Sequence, residues 1–288
     1  MLVVTEAQVA ELLAPADAIA AVERSFERLA RGAVDNPPRV RADVPGGYFA
    51  VMPCVDRELG YAGLKTFVWL ANGAPFAVVL FSLEHARLEA VVEASLLGEL
   101  RTAAASAVAV KHLARRDART LGLFGCGRQA ASHVEVLREV LDVERVVVTC
   151  RDEERLRVFC ADHGAEPGDP SGCDVVVTAT TAAAPVLREV RPGATVIGVG
   201  ANDLARRELA PAVIERAAFV CTDSAEQARL EAGDLVGVEP HELQDVVSGA
   251  VEGRRSEDDV VVFKSNGLAA WDLAAAAEVV ARARTSSA

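Results

Sequence analysis

Residues 120–130 read TLGLFGCGRQA. An apolar run, 121–124, ends in Gly125-Cys126-Gly127-Arg128-Gln129-Ala130, a G-x-G-x-x-A turn. A helix-like segment follows to about Leu141, and 143–149 reads as a second strand. Strand, glycine turn, helix and strand in that order are the setting that a dinucleotide fingerprint requires. Gly125 permits the tight turn. Gly127 lets the backbone approach a pyrophosphate, and Ala130 is small enough for close helix–strand packing. The N–H groups at the start of the helix then face the phosphates.

Outward from the turn, strands alternate with helices: a helix at 153–163, strands at 175–178, 195–199 and 219–222, and another at 260–263. Runs such as VVVT and TVIGVG lack two-residue polarity, as strands buried on both faces do. The alternation predicts a parallel sheet with helices on both sides. Upstream the pattern differs. Thr5 is a candidate cap for a helix over 6–13, and 16–31 is amphipathic, with Ile19, Val22, Phe26 and Leu29 on one face and Gly32 as its stop. Strand-like runs follow at 40–44, 48–52, 62–70, 77–81 and 90–92, separated by turns at Pro45-Gly46-Gly47 and Asn72-Gly73. A helix over 101–115 leads into the glycine turn. A second over 268–284 closes the chain and is expected to pack back on the first domain, with 285–288 frayed.

The chain has 288 residues, 51% of them hydrophobic, which suits two moderate domains. A formal charge of −12 argues against a nucleic-acid surface or an anionic membrane. No apolar stretch is long enough to span a bilayer, and the N-terminus has no basic leader region, so a cytoplasmic protein is expected. Six cysteines without C-x-x-C spacing read as buried, reduced thiols. The five histidines form no metal-ligand spacing, so no metal site is expected.

The segments together resemble the ornithine cyclodeaminase/mu-crystallin family. The matching blocks are Pro38-Arg39, Met52-Pro53, Gly63-Leu64-Lys65, Arg101-Thr102-Ala103-Ala104, the glycine turn with Gln129-Ala130, Val199-Gly200-Ala201, Arg207-Glu208-Leu209, Asp223-Ser224, Glu231-Ala232-Gly233, Gly249, Gly253-Arg254, and Phe263-Lys264-Ser265 with Gly267 and Asp272. They span nearly the whole chain. The resemblance implies an α/β protein with a Rossmann dinucleotide-binding domain, 116–267. It also implies an α+β substrate-binding and dimerisation domain formed by 1–115 with 268–288. A homodimer is expected, with an amino acid or imine as substrate.

The resemblance places the substrate's carboxylate on Arg39, Lys65 and Arg101, with Met52 and Asn202 in the substrate pocket. Arginine can hold a carboxylate by two parallel hydrogen bonds. A lysine between two arginines should have its pKa lowered by like charge, which makes Lys65 the candidate proton donor to an imine nitrogen. Cofactor contacts are expected from Thr102, Gly125, Gly127, Arg128, Gln129, Ala130, Arg151, Thr178, Thr180, Val199, Gly200 and Ser265. The second strand ends in Cys150-Arg151-Asp152. Cys150 takes the place of the acid that binds the ribose of NAD, and Arg151 can accept the 2′-phosphate of NADP. NADP(H) is therefore favoured. NAD(H) remains open because Asp152 could pair with Arg151 or serve the ribose itself. Ser265 could instead cap the closing helix.

Cyclodeaminases carry an Asp after the two small residues of the 200–201 loop. Here that position is Asn202, which cannot carry charge, and Asp203 comes one residue later. The reading is an NAD(P)H-dependent oxidoreductase acting on a C–N bond, reducing a small cyclic ketimine carboxylate to an amino acid. Three alternatives stay open: an ornithine cyclodeaminase or alanine dehydrogenase-like enzyme, a synthase of an N-linked amino-acid conjugate, and a non-catalytic NADPH-dependent ligand-binding protein. Ser106 and Ser132 lack a partnered His-Asp pair, and His112 and His133 read as surface or packing residues. Glu226 and Glu231 read as a solvated helix face, and Trp69 and Trp271 as core or interface residues.

Overall fold

The computed structural model describes residues 1–71 and 73–286, the side chain of Ser286 excepted. Asn72 of the expected turn and residues 287–288 of the expected frayed end lie outside them. The chain forms two compact units, Met1–Thr102 with Gly267–Ala288, and Ala103–Asn266. The division falls inside the helix expected at 101–115. Residues 103–115, expected with the first unit, belong to the second.

The first unit begins with β1 (Leu2–Val4), α1 (Glu6–Leu12) and α2 (Pro15–Ala30). The Thr5 hydroxyl accepts from the Gln8 N–H, and Gln8 reaches back to the Thr5 N–H, so α1 starts on a reciprocal cap. Strands β2 (Val34–Asp35), β3 (Val40–Val44), β4 (Gly47–Asp56), β5 (Tyr61–Leu70), β6 (Phe76–Ser82) and β7 (Arg87–Glu93) follow, then α3 (Ser95–Leu113). The sheet runs β1-β7-β6-β5-β4-β2, with β3 also on β4; all its pairs are antiparallel except β1 with β7. Pro45-Gly46 turns β3 into β4, Gly46 taking φ of +80°. One face of β4 and β5, with Ala50, Met52, Cys54, Lys65 and Phe67, is buried. The C-terminal helix, Ala269–Ser286, lies in this unit and packs on α2, β4, β5 and β6. Its residues from Leu268 to Ala276 are buried all round, so it is a core helix and not a surface one. The opposite sheet face carries Phe49, Val51, Pro53, Leu64, Val79 and Phe81, all half-buried or exposed.

The second unit is built on β8 (Thr120–Phe124), α4 (Arg128–Leu137), β9 (Arg145–Thr149), α5 (Glu153–His163), β10 (Glu166–Pro167), β11 (Val175–Thr178), β12 (Thr195–Gly198), α6 (Pro211–Arg216), β13 (Phe219–Thr222), α7 (Ala225–Glu231), β14 (His241–Glu242), α8 (Leu243–Val247) and β15 (Val261–Lys264). The C-terminal helix of the chain is α9. Every pairing is parallel, in the order β10-β9-β8-β11-β12-β15-β13-β14. Strand order reverses between β8 and β11, which places the glycine turn at the switch point of a doubly wound sheet. α4 stops at Leu137, four residues short of expectation.

Candidate active site

In the first unit, α9 supplies Asp272, which is fully buried. Its Oδ1 accepts from Arg101 Nε at 2.9 Å and from Lys65 Nζ at 3.1 Å. Lys65 lies on the buried face of β5, opposite Met52 of β4. Gly98 of α3 leaves it room, since a Cβ there would sit 3.2 Å from Nζ. Arg101 stacks toward the Trp271 ring at 5.8 Å. Arg39, half-buried ahead of β3, adds a third positive charge that is felt at Lys65.

The Lys65 pKa is lowered to about 8. The sequence reading had the direction but not the main cause. Burial of the ammonium comes first, the Arg101 cation second, Arg39 contributes further, and Asp272 opposes them. Two buried cations, Lys65 and Arg101, share one carboxylate oxygen of Asp272. Arg101 Nη1 is buried with no hydrogen-bond partner among the described residues, as is Asp272 Oδ2. A buried donor left unmade costs roughly 1–3 kcal/mol. A ligand carboxylate would supply both the charge and the acceptor. Thr102 is also in this unit; its hydroxyl donates to the Gly98 carbonyl at 2.7 Å.

In the second unit, the Gly125 N–H donates to Thr149 O and the Ala179 N–H to Phe124 O, which fixes the turn between the ends of β9 and β11. Gly125 has φ of +114°, and a Cβ there would come within 2.5 Å of Ala179 O. Gly127 is the N-cap of α4 and carries no side-chain cap; a Cβ there would meet nothing within 4 Å. The helix therefore opens with uncapped N–H groups over free space. Gln129 Oε1 is buried without a partner among the described residues, and Ala130 is fully buried. This is a cradle that fits a dinucleotide's phosphates. Arg128 and Arg151 are exposed. Asp152 caps α5, its Oδ1 accepting from the Arg155 N–H at 3.0 Å.

Other expected cofactor contacts are held by internal bonds. Glu208, fully buried, accepts from Thr178 Oγ1 at 3.1 Å, Thr180 N at 2.6 Å, Thr180 Oγ1 at 2.7 Å and Gly200 N at 2.5 Å. Val199 donates its N–H to Thr178 O. Ser265 does not cap α9; its hydroxyl donates to Asp223 Oδ2 at 3.1 Å. Lys264, fully buried, donates to Ser265 O at 2.7 Å and reaches Asn202 Oδ1 at 3.4 Å. Burial lowers its pKa, against the surrounding carboxylates, first Asp234 and then Glu208. Asn202 is half-buried. Asp203 is exposed and accepts the Ala205 N–H at 2.8 Å. Asn202 thus keeps the inward position.

Several residues escaped the sequence. Glu208, Asp223 and Asp272 stood in the matching blocks without a role, and Lys264 only as part of a segment expected to flank the nicotinamide. Glu231 is buried and accepts from Gln227 Nε2 at 2.7 Å, so it is not part of a solvated face. Ser106 does have a histidine partner, His133 Nε2 at 2.9 Å, but both are fully buried and the other ring nitrogen meets Gln129 O. Burial lowers the His133 pKa to about 4. Trp271 is core, while Trp69 is 49% exposed and stacks on Tyr48. Two of the six cysteines are not thiols: Cys126 and Cys150 form a disulfide.

A doubly wound parallel sheet with a glycine turn at its switch point, in a chain that also forms an α+β unit, defines a dinucleotide-binding class of protein. The chain belongs to the ornithine cyclodeaminase/mu-crystallin family, whose model matches residues 1–287. It is 33% identical to a Δ1-pyrroline-2-carboxylate/Δ1-piperideine-2-carboxylate reductase of Azospirillum brasilense, over 93% of this chain and 92% of that one. Among solved structures it resembles an archaeal alanine dehydrogenase dimer with bound NAD (TM-score 0.93, 30% identity, 100% and 97% covered). It also resembles the Thermococcus litoralis Δ1-pyrroline-2-carboxylate reductase in complex with NADH and L-proline (TM-score 0.94, 25% identity, 100% and 98% covered).

Proposed function

We propose that this chain is a nicotinamide-dependent oxidoreductase of C–N bonds that reduces a small cyclic ketimine carboxylate to the corresponding amino acid. The observation that carries the reading is the cluster of Arg39, Lys65 and Arg101, in which two buried cations share one carboxylate oxygen and Arg101 keeps an unmet donor. The reduced nicotinamide, when bound, supplies a hydride to the imine carbon. Arg39 and Arg101 hold the substrate carboxylate and fix its orientation. Lys65 Nζ, protonated, donates to the imine nitrogen; a pKa near 8 lets it release that proton near neutrality. Asp272 holds Lys65 and Arg101 on one oxygen.

Gly125, Gly127, Arg128, Gln129 and Ala130 hold the pyrophosphate. NADPH is the preferred form: Arg151 is exposed just past β9, no acid stands at Cys150, and Asp152 is committed to α5. Asn202 in the inward position favours reduction over cyclodeamination, because an amide cannot take up a proton. Thr178, Thr180, Val199, Gly200 and Ser265 shape the cleft from behind, with their side chains or N–H groups already bonded. The protein is a cytoplasmic homodimer that pairs through the open apolar face of the first unit's sheet. The archaeal dimer with the same architecture supports that assembly. Loss of NADPH absorbance with pyrroline- and piperideine-2-carboxylates, run beside NADH, tests the reading. Ammonia released from ornithine, or consumption of pyruvate with ammonia but of no cyclic imine, would overturn it.

A further inference from the structure

We propose that Cys126 and Cys150 are a thiol–disulfide modification site that controls dinucleotide affinity, its chemical partner being a low-molecular-weight disulfide or thiol. The inference rests on the reading of the glycine turn as the cofactor cradle. Phe124 of β8 and Thr149 of β9 are the last paired residues of the two strands. Cys150 is the residue just past β9, and Cys126 is the middle residue of Gly125-Cys126-Gly127. Their Cα atoms are 5.9 Å apart, inside the range a disulfide spans without moving the backbone. Both are half-exposed, whereas Cys54, Cys160, Cys173 and Cys221 are buried free thiols. Oxidation therefore selects this pair.

The location gives the bond its effect. The end of the second strand is where the ribose next to adenine is read, and the residue between the two glycines borders the pyrophosphate. Closed, the two sulfurs bridge that gap and tie the turn to the strand. Opened, the thiols part and the gap is free to receive the ribose. Cys126 lies just ahead of the α4 N-cap, at the positive end of the helix. Its thiolate bonds to one sulfur of the small disulfide, whose S–S bond breaks and releases one small thiolate. The Cys150 thiolate then attacks the Cys126 sulfur and releases the second. Two protein thiols lose two electrons and two protons; the small disulfide gains both and leaves as two thiols. In a reducing compartment such a pair is a sensor and not a staple.

The test uses the full chain equilibrated with oxidised glutathione, or with reduced glutathione in excess. Alkylation and peptide mass spectrometry count the thiols, and fluorescence titration with NADPH and with NADH reads affinity without turnover. The expected result is two additional alkylated cysteines, 126 and 150, in the reduced form, with dinucleotide affinity at least tenfold higher than in the oxidised form. The double variant Cys126→Ser/Cys150→Ser should show one affinity whatever the glutathione state. Equal affinity of the two wild-type forms, with the disulfide verified in one, overturns this proposal alone. So does a pair that stays in one state under both conditions. Absence of dinucleotide binding in both forms overturns the cofactor reading and this proposal with it.

Discussion

At the scale of single residues, the site depends on one carboxylate shared by two buried cations. Because Lys65 must be protonated to donate, kcat/KM with a ketimine should fall as pH rises through about 8. Asp272 raises the lysine's pKa, so Asp272→Asn should move that alkaline limb to lower pH. It should also lower stability in denaturant titration by about 3–5 kcal/mol, the cost of leaving a buried charge without its partner. A limb that does not move in the variant would separate Lys65 from the proton step. Lys65→Met should cut turnover by roughly a hundredfold or more while NADPH affinity holds. Arg39, Lys65 and Arg101 stood out as candidates because each sits in a recognisable motif. Asp272 was not, because it lies in an alanine-rich helix, and nothing local tells that a carboxylate 171 residues beyond Arg101 lands beside it. The Cys126–Cys150 bond was hidden in the same way, by a separation of 24 residues and no motif spacing.

At the scale of elements, Glu208 ties the end of β11 to the loop after β12 through four donors. Glu208→Gln turns an NH2 toward donors that need an acceptor. It should lower the denaturation midpoint by about 2 kcal/mol in stability, within the range for buried groups left unsatisfied. An unchanged midpoint would show that the loops hold without it. Elements bracketed by strong local signals were legible to the residue. β3 ends at a Pro-Gly turn. α5 runs from the Asp152 cap to Gly164, whose φ is +60°. β10 and β14 have two residues and α6, α7 and α8 five to seven, too few to show a period. β4 is expected over 48–52, yet it runs on through Pro53 to Asp56. β3 pairs with β4 as far as Val51 and β2 only from Val55, so Pro53 occupies a gap where no N–H is wanted.

At the scale of the molecule, the sheet of the first unit has one face under α9 and the other bare. Leu64 and Val79 are cross-strand partners in the middle of the bare face. A contiguous apolar face of this kind marks an association surface. The wild-type protein should sediment at twice the chain mass, and Val79→Lys should yield a folded monomer. A wild-type monomer would overturn the pairing. The sequence carried the two-unit plan, because its strand patterns change character before the glycine turn. It could not reveal that the boundary lies within α3, since a continuous helical pattern carries no mark of which core each turn joins. The placement of α9 bears on how the protein is made. Its first unit is written in two stretches with the second unit between them, so the nascent sheet leaves the ribosome without its covering helix. Lys65 and Arg101 then wait for their counter-charge until 171 further residues are translated, on the order of ten seconds or more. A chain broken off anywhere before Asp272 carries two cations that it can bury only at a steep cost. The protein thus withholds its finished core from incomplete copies of itself.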